Sequence, residues 1–256
     1  MTTSPGQRFS EIAAGYAATM APSLRPIAQT VVSRARLKPG ERVLDIGTGT
    51  GIGAAAARGE GRAVTGVDAA PGMLEIARRD VPGVRFEEMD FADLRFGDAE
   101  FDVVLASHAL LFADDQRAVL AEWLRVTRPD GRLSLSVPGP TEVTPVWHYR
   151  EIYDCHGIDT ASRYPTSEEL AATVREAGWS DVVVEADPMT AILLPDEAAF
   201  RTWREIGFRN PATDHFSLAQ HQALSDEMLA ATPRTADGVL RIPFGAIYLT
   251  ARRPGR

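Results

Sequence analysis

The 256-residue sequence is poor in cysteine, in basic charge and in long apolar runs, and each shortage closes off a class of function. Cys155 is the only cysteine, so no intrachain disulfide can form and no cysteine-built zinc cluster is expected. Lysine and arginine number 27 against 35 aspartates and glutamates, a net charge of −8. A phosphate backbone finds no basic footprint on such a chain, which disfavours DNA or tRNA as substrate and favours a small molecule. No apolar stretch approaches the roughly 20 residues of a bilayer span, and Met1 to Phe9 lacks the basic and apolar regions of a secretion signal. A cytoplasmic protein without a membrane partner is therefore expected, as monomer or homodimer. The five histidines show no spacing to acidic residues that resembles a metal site, so no metal is expected. Internal repeats and low-complexity segments are absent from the sequence.

What is present centres on Val43-Leu44-Asp45-Ile46-Gly47-Thr48-Gly49-Thr50-Gly51. Val43 to Ile46 is a short apolar run holding a carboxylate, and the glycines that follow can take positive φ and admit a ligand close to bare backbone. The alanine-rich Ile52 to Ala57 favours helix, so the turn should present free N–H groups and a helix N-terminus to an anion. About 20 residues further on, where a nucleoside-binding βαβ unit places its acidic ribose ligand, a second strand Ala63 to Val67 ends at Asp68. The segment Gly49-Thr50-Gly51-Ile52-Gly53-Ala54 also fits the Gly-x-Gly-x-x-Ala fingerprint of NAD(P)-binding folds. Asp45 decides against that fit, because a carboxylate just before the glycines repels a pyrophosphate and attracts an ammonium.

Together these residues resemble motifs I and II of the class I S-adenosylmethionine (SAM) dependent methyltransferases: two hydrophobic residues, Asp-x-Gly-x-Gly-x-Gly, then an acid ending the next strand. The resemblance is strong over roughly Val43 to Pro138. It implies an α/β fold with a doubly wound, mostly parallel seven-stranded sheet whose last strand is antiparallel and inserted between neighbours. It also implies cofactor contacts from Asp45, Gly47, Thr48, Gly49, Gly51, Asp68 and Ala69. Met73 would sandwich the adenine, Asp90 and Phe91 would read its edge, and Ser107 would follow the fourth strand. Tyr16 would either reach the methionine end of SAM from an N-terminal lid or pack in the core. Leu124-Arg125-Val126-Thr127-Arg128-Pro129-Asp130-Gly131 is similar to a stretch in the small-molecule enzymes typified by quinone biosynthesis. The fourth strand, Phe101 to Ala106, is followed by Ser107-His108-Ala109-Leu110 rather than the Asn/Asp-Pro-Pro-aromatic signature of many N-methyltransferases of this class. That departure argues against methylation of an adenine or glutamine nitrogen.

Periodicity places further elements. Phe9, Ile12, Ala13 and Tyr16 mark one N-terminal helix, and Pro26 to Leu37 a second. Asp114 or Asp115 caps a helix bearing Val119, Leu120 and Trp123, and Thr166 to Glu169 matches a capping box. Asp196 and Ser217 cap helices carrying Phe200 with Trp203 and Leu224 with Met228. The chain reads as one domain over 1–256, with lid helices in 1–40, a SAM-binding core in 41–138, and cap insertions in 139–165 and 190–235.

Most aromatics lie outside the cofactor motifs, so Trp147, Tyr149, Tyr153 and Trp203 are candidates for the wall of an acceptor pocket, unless they are the inner face of core helices. His108 is the candidate base: imidazole titrates near neutrality and sits where the strand delivers it to the methyl end of the cofactor. A passive role as cap or lining is its alternative, and His148, His156 and His215 are weaker candidates. The expected activity is SAM-dependent methyl transfer to a small-molecule acceptor, at oxygen or carbon rather than nitrogen, in secondary or quinone-like metabolism, with S-adenosylhomocysteine as product. The competing function is a SAM- or S-adenosylhomocysteine-binding protein of the same fold that catalyses a cyclisation or serves as a binding module.

Overall fold

A computed structural model of the chain describes residues 5–59, 61–158, 164–206, 213 and 215–255. Parts of both expected cap insertions, residues 159–163, 207–212 and 214, lie outside the described residues. A seven-stranded sheet runs in the order β3 (Arg85–Glu88), β2 (Ala63–Asp68), β1 (Arg42–Ile46), β4 (Phe101–Ser107), β5 (Thr127–Pro138), β9 (Ala246–Arg252) and β6 (Ser180–Asp187). Pairings from β3 to β5 are parallel, while β9 is antiparallel to both β5 and β6. The sheet is thus the one that the family resemblance implies.

The chain moves outward from β1 through β2 to β3, then returns to the other side of β1 as β4. That reversal makes the C-terminal ends of β1 and β4 the topological switch point, where open α/β sheets bind ligands.

The central strands are buried on both faces because successive residues feed opposite cores. Val43 and Leu105 join one cluster, and Leu44 and Val104 join the other. Full burial of such a leucine or valine contributes roughly 1.5–3 kcal/mol. One face is covered by α1 (Pro5–Ala35), α2 (Ile52–Ala57) and α3 (Pro71–Asp80), the other by α4 (Gln116–Val126) and α7 (Ser167–Glu176). Caps fall where the sequence places them. Asp115 accepts from Ala118 N–H at 2.9 Å, Thr166 and Ser217 form full capping boxes, and Asp196 accepts from Ala199 N–H at 2.8 Å.

The N-terminal region differs from expectation. One 31-residue helix, α1, replaces the two predicted, with Pro22 and Pro26 inside it. Each proline removes a helix donor, but Met20, Leu24, Ile27 and Val31 are buried along one face and hold the rod against the sheet. Beyond the sheet, α5 (Pro145–His148), α6 (Arg150–Cys155), α8 (Glu197–Ile206) and α9 (Leu218–Ala231) pack with a small two-stranded antiparallel sheet, β7 (Ala191–Leu194) and β8 (Leu240–Pro243), which the sequence does not foreshadow. Among the described residues no helix is long and apolar enough to cross a membrane.

Candidate active site

β1 delivers Asp45, 2% exposed, to the base of the switch point. Gly47 (φ 62°), Gly49 (φ 53°) and Gly51 (φ 82°) then carry the chain through a turn that favours glycine at each place. Gly49 has open space where a side chain would stand, so its backbone is free to approach a ligand. The sequence suggested an external anion at the N-terminus of α2, and the structure corrects this. The helix has six residues, and the anion there is the protein's own Asp45 carboxylate, bonded by Ala54 N–H and by Thr48 Oγ1 at 2.6 Å. Burial still pushes the Asp45 carboxyl up to about 6, against the opposing pull of those two bonds.

Asp68, at the end of β2, accepts from Gly49 N–H at 2.8 Å and from Ala70 N–H at 2.9 Å. Burial raises its pKa, and the N–H bonds from Gly49, Ala70 and Ala69 work against the rise.

β4 ends at Ser107, and His108 follows it. His108 sits at φ 56°, and its N–H donates to Ser136 O at 3.0 Å. Its Nδ1 lies 2.9 Å from Ser136 Oγ, and its ring lies 5.3 Å from that of Phe244. Burial lowers the imidazole to about 4.

Asp45, the Gly47 and Gly49 turn, Ser107 and His108 share one cleft, and Asp68 adjoins it through its bond from Gly49 N–H. Tyr16, Asp45, Gly47, Thr48, Gly49, Ser107 and His108, all anticipated, line it, together with Leu24, Thr50, Ile52 and Gly53, which were not. The cleft encloses about 30 Å³, far below the several hundred Å³ of a typical small-molecule pocket. α1 closes it. Ser10 Oγ accepts from Gly72 N–H at 3.2 Å, and a side chain at Gly72 would stand 2.7 Å from Ser10 O. Phe9 packs edge-on against Phe112 and Tyr16, with centroids 5.2 and 6.2 Å away. Burial and the Asp68 charge both push the Tyr16 phenol up.

The remaining anticipated residues stand apart from the cleft. Gly51 faces Val81, Ala77 and Phe86, Ala69 lies under the first turn of α1, and Met73 is buried against Ala13 and Ala70 beside Phe9 and Tyr16. Asp90 caps its own turn through Ala92 N–H, and Phe91 packs on Trp123, whose indole donates to Phe91 O.

The expected acceptor wall is corrected. Tyr149 is fully buried with its hydroxyl 2.7 Å from Thr232 Oγ1, Tyr153 is 3% exposed, and Trp203 is fully buried against Phe200. Trp147 is 42% exposed under the Arg150 guanidinium. Three of the four therefore fill the core of the cap, since large rings gain most from full burial, and none lines the cleft. Tyr149→Phe should accordingly cost about 1 kcal/mol of stability, the worth of one hydrogen bond, in urea denaturation, with SAM affinity unchanged. A loss of SAM affinity without loss of stability would return Tyr149 to the site. His156 pairs with Glu227 at 3.1 Å, burial lowers the pKa of His148, and His215 meets Phe216 edge-on. Among the described residues no His, Cys, Asp and Glu cluster could hold a metal.

Residues 44–135 match the family described as a methyltransferase domain. The demethylmenaquinone methyltransferase of Beutenbergia cavernae is 35% identical over 164 residues, 57% of this chain and 68% of that protein. The malonyl-[acyl-carrier protein] O-methyltransferase of Serratia marcescens is 35% identical over 128 residues, half of each chain. In fold, a chain of the complex between the Haloferax volcanii Trm112 methyltransferase activator and a methyltransferase superposes with a TM-score of 0.63 at 24% identity, covering 98% of this chain and 100% of that one.

The chain belongs to the class I SAM-dependent methyltransferases, and SAM is its cofactor. The residues present fit SAM. A buried carboxylate and an open glycine turn line the cleft, a strand-end acid adjoins it through Gly49 N–H, and two buried polar atoms among the cleft residues, Thr50 Oγ1 and His108 Nε2, have no partner among the described residues.

Proposed function

We propose that this enzyme transfers the methyl group of SAM to oxygen or acidic carbon of a small organic acceptor, in secondary or quinone-like metabolism. The observation that carries the reading is His108, a neutral imidazole with a bare Nε2, buried in a cleft closed by α1 and flanked by Phe244. The net charge of −8 does not attract a nucleic acid. One relative is by name an O-methyltransferase, in keeping with this choice of atom.

In this reading Asp45 faces the ammonium of the methionine moiety and Asp68 the ribose hydroxyls. Gly47, Thr48 and Gly49 give the backbone path, with Gly51 packed behind the turn, and Ala69, Met73, Asp90 and Phe91, which stand apart from the closed cleft, would meet the adenine only once the front of α1 has moved. Tyr16 and Ser107 close the methyl end. SAM supplies a methyl on a sulfonium and leaves as the neutral thioether. His108 takes the acceptor's proton, which suits a phenol or an enolisable carbonyl better than an aliphatic alcohol, because burial that lowers the imidazole to about 4 makes it a modest base.

Residues 5–21 of α1 form the cover that must move to admit SAM. They are separated from the rest of the helix by the donors missing at Pro22 and Pro26. We assign the whole chain to one domain, since the cap helices share a continuous apolar cluster with the sheet.

Methyl-labelled SAM offered with a metabolite extract, total RNA and total protein should place label in the low-mass fraction. Label confined to RNA or protein contradicts the proposal. SAM affinity should be level above pH 6 and fall about tenfold per unit below it as Asp45 takes up a proton. Calorimetry on Asp45→Asn should show a weaker, pH-independent affinity, and an unchanged pH slope in that variant removes Asp45 from the ammonium site.

A further inference from the structure

We infer that Ser136 is a positioning residue for methyl transfer, holding His108 in the tautomer that carries its proton on Nδ1 and leaves the Nε2 lone pair bare. The inference rests on the reading of His108 as proton acceptor. Ser136 stands near the C-terminal end of β5, in register with Ser107 on β4, so the sheet itself fixes it beside the residue that follows. It grips His108 twice. Its carbonyl accepts the His108 backbone N–H at 3.0 Å, and its hydroxyl lies 2.9 Å from Nδ1. The first bond helps hold a non-glycine residue at φ 56°, a conformation that costs of order 1 kcal/mol and persists only when its surroundings enforce it.

The proton's place follows from what each partner can do. The Ser136 carbonyl only accepts, and its contact favours a protonated ring. Nε2 is buried and has no partner among the described residues. A proton on Nε2 would bury an unsatisfied donor, whereas a proton on Nδ1 leaves an unsatisfied acceptor, the rarer fault being the orphaned N–H. With Nδ1–H donating to Ser136 Oγ, the serine's own proton can point to Ser107 Oγ, 3.5 Å away. Among the described residues nothing then competes for the Nε2 lone pair.

In the proton step, an acceptor O–H or acidic C–H bond breaks and its proton goes to Nε2. The bonding pair stays on the oxygen or carbon that becomes the nucleophile. The imidazolium keeps Nδ1–H on Ser136 and later returns the Nε2 proton to solvent.

The test is nitrogen NMR of the ¹⁵N-histidine-labelled unliganded protein, wild type and Ser136→Ala, with Ser136→Thr as the variant that retains the hydroxyl. Wild type should show His108 protonated at Nδ1 and bare at Nε2. Ser136→Ala should show a tautomer mixture and, with the acceptor found by labelling, a kcat roughly tenfold lower at unchanged S-adenosylhomocysteine affinity, and Ser136→Thr should recover both. A wild-type ring protonated at Nε2 overturns the inference, even if Ser136→Ala does not fold. So does a Ser136→Ala variant that keeps tautomer and kcat, or one that loses kcat and cofactor affinity together. A His108→Gln variant with full activity instead sinks the reading of His108 as proton acceptor.

Discussion

His108→Gln should lower kcat for the acceptor by about 10²–10⁴, the usual worth of a positioned general base, while SAM affinity moves less than about twofold. Glutamine keeps polar reach toward Ser136 but cannot take a proton. Burial holds the imidazole near 4, so the base is available throughout the neutral range, and wild-type activity should fall on the acid side only as pH approaches that value. The same variant changes stability in a defined direction. Between about 4 and 6.5 the unfolded chain protonates this histidine and the folded one does not, so His108 makes stability rise with pH in that window. Asp45 does the reverse: its folded carboxyl, near 6, holds a proton that the unfolded chain has already released. At roughly 1.4 kcal/mol per pH unit each, the two slopes oppose one another between about 4 and 6. Removing His108 should leave the Asp45 slope exposed, so that His108→Gln grows more stable as pH falls from 6 to 4. Urea midpoints across that range check it, and a variant with wild-type slope contradicts the assigned protonation states.

Asp68→Ala should weaken SAM or S-adenosylhomocysteine binding by about tenfold to a hundredfold in calorimetry, the scale of one charge-assisted bidentate contact. In the structure the carboxylate is engaged by Gly49 and Ala70 N–H groups, so a ligand must share or displace those bonds. Two effects on stability oppose each other. Losing the acceptor leaves partly buried donors unpaired, about 1–3 kcal/mol, while removing a carboxylate that burial penalises offsets part of that cost. Affinity should therefore drop far more than the melting temperature. Unchanged affinity removes Asp68 from the site.

The sheet and its switch point were legible because they are local signals repeated in order: apolar runs ending in Asp45, Asp68 and Ser107, each followed by a break and a helix. Caps were legible for the same reason, since Asp115, Thr166, Asp196 and Ser217 act within three residues of themselves. The continuity of α1 was not. Pro22 and Pro26 are helix breakers locally, and only burial of Leu24 and Ile27 against distant residues overrides them. The cap aromatics were misplaced because their spacing identifies a buried face without saying whether a ligand or Thr232 lies opposite. Ser136 had a readable signal that went unused. In Leu133-Ser134-Leu135-Ser136-Val137 two serines share one face of a central strand, and both prove to be fully buried hydrogen-bonding groups, Ser134 to Val31 O at 2.7 Å and Ser136 to His108.

The central claim is that SAM lies at the switch point beneath the front half of α1, with Asp45, Asp68 and His108 around it. Amide hydrogen exchange with and without saturating S-adenosylhomocysteine tests it most directly. The account predicts slowed exchange in residues 5–21, 45–51 and 68–73 and no change in 145–155. Protection confined to 145–155 and the cap helices, with the β1 turn and α1 exchanging as before, would contradict it.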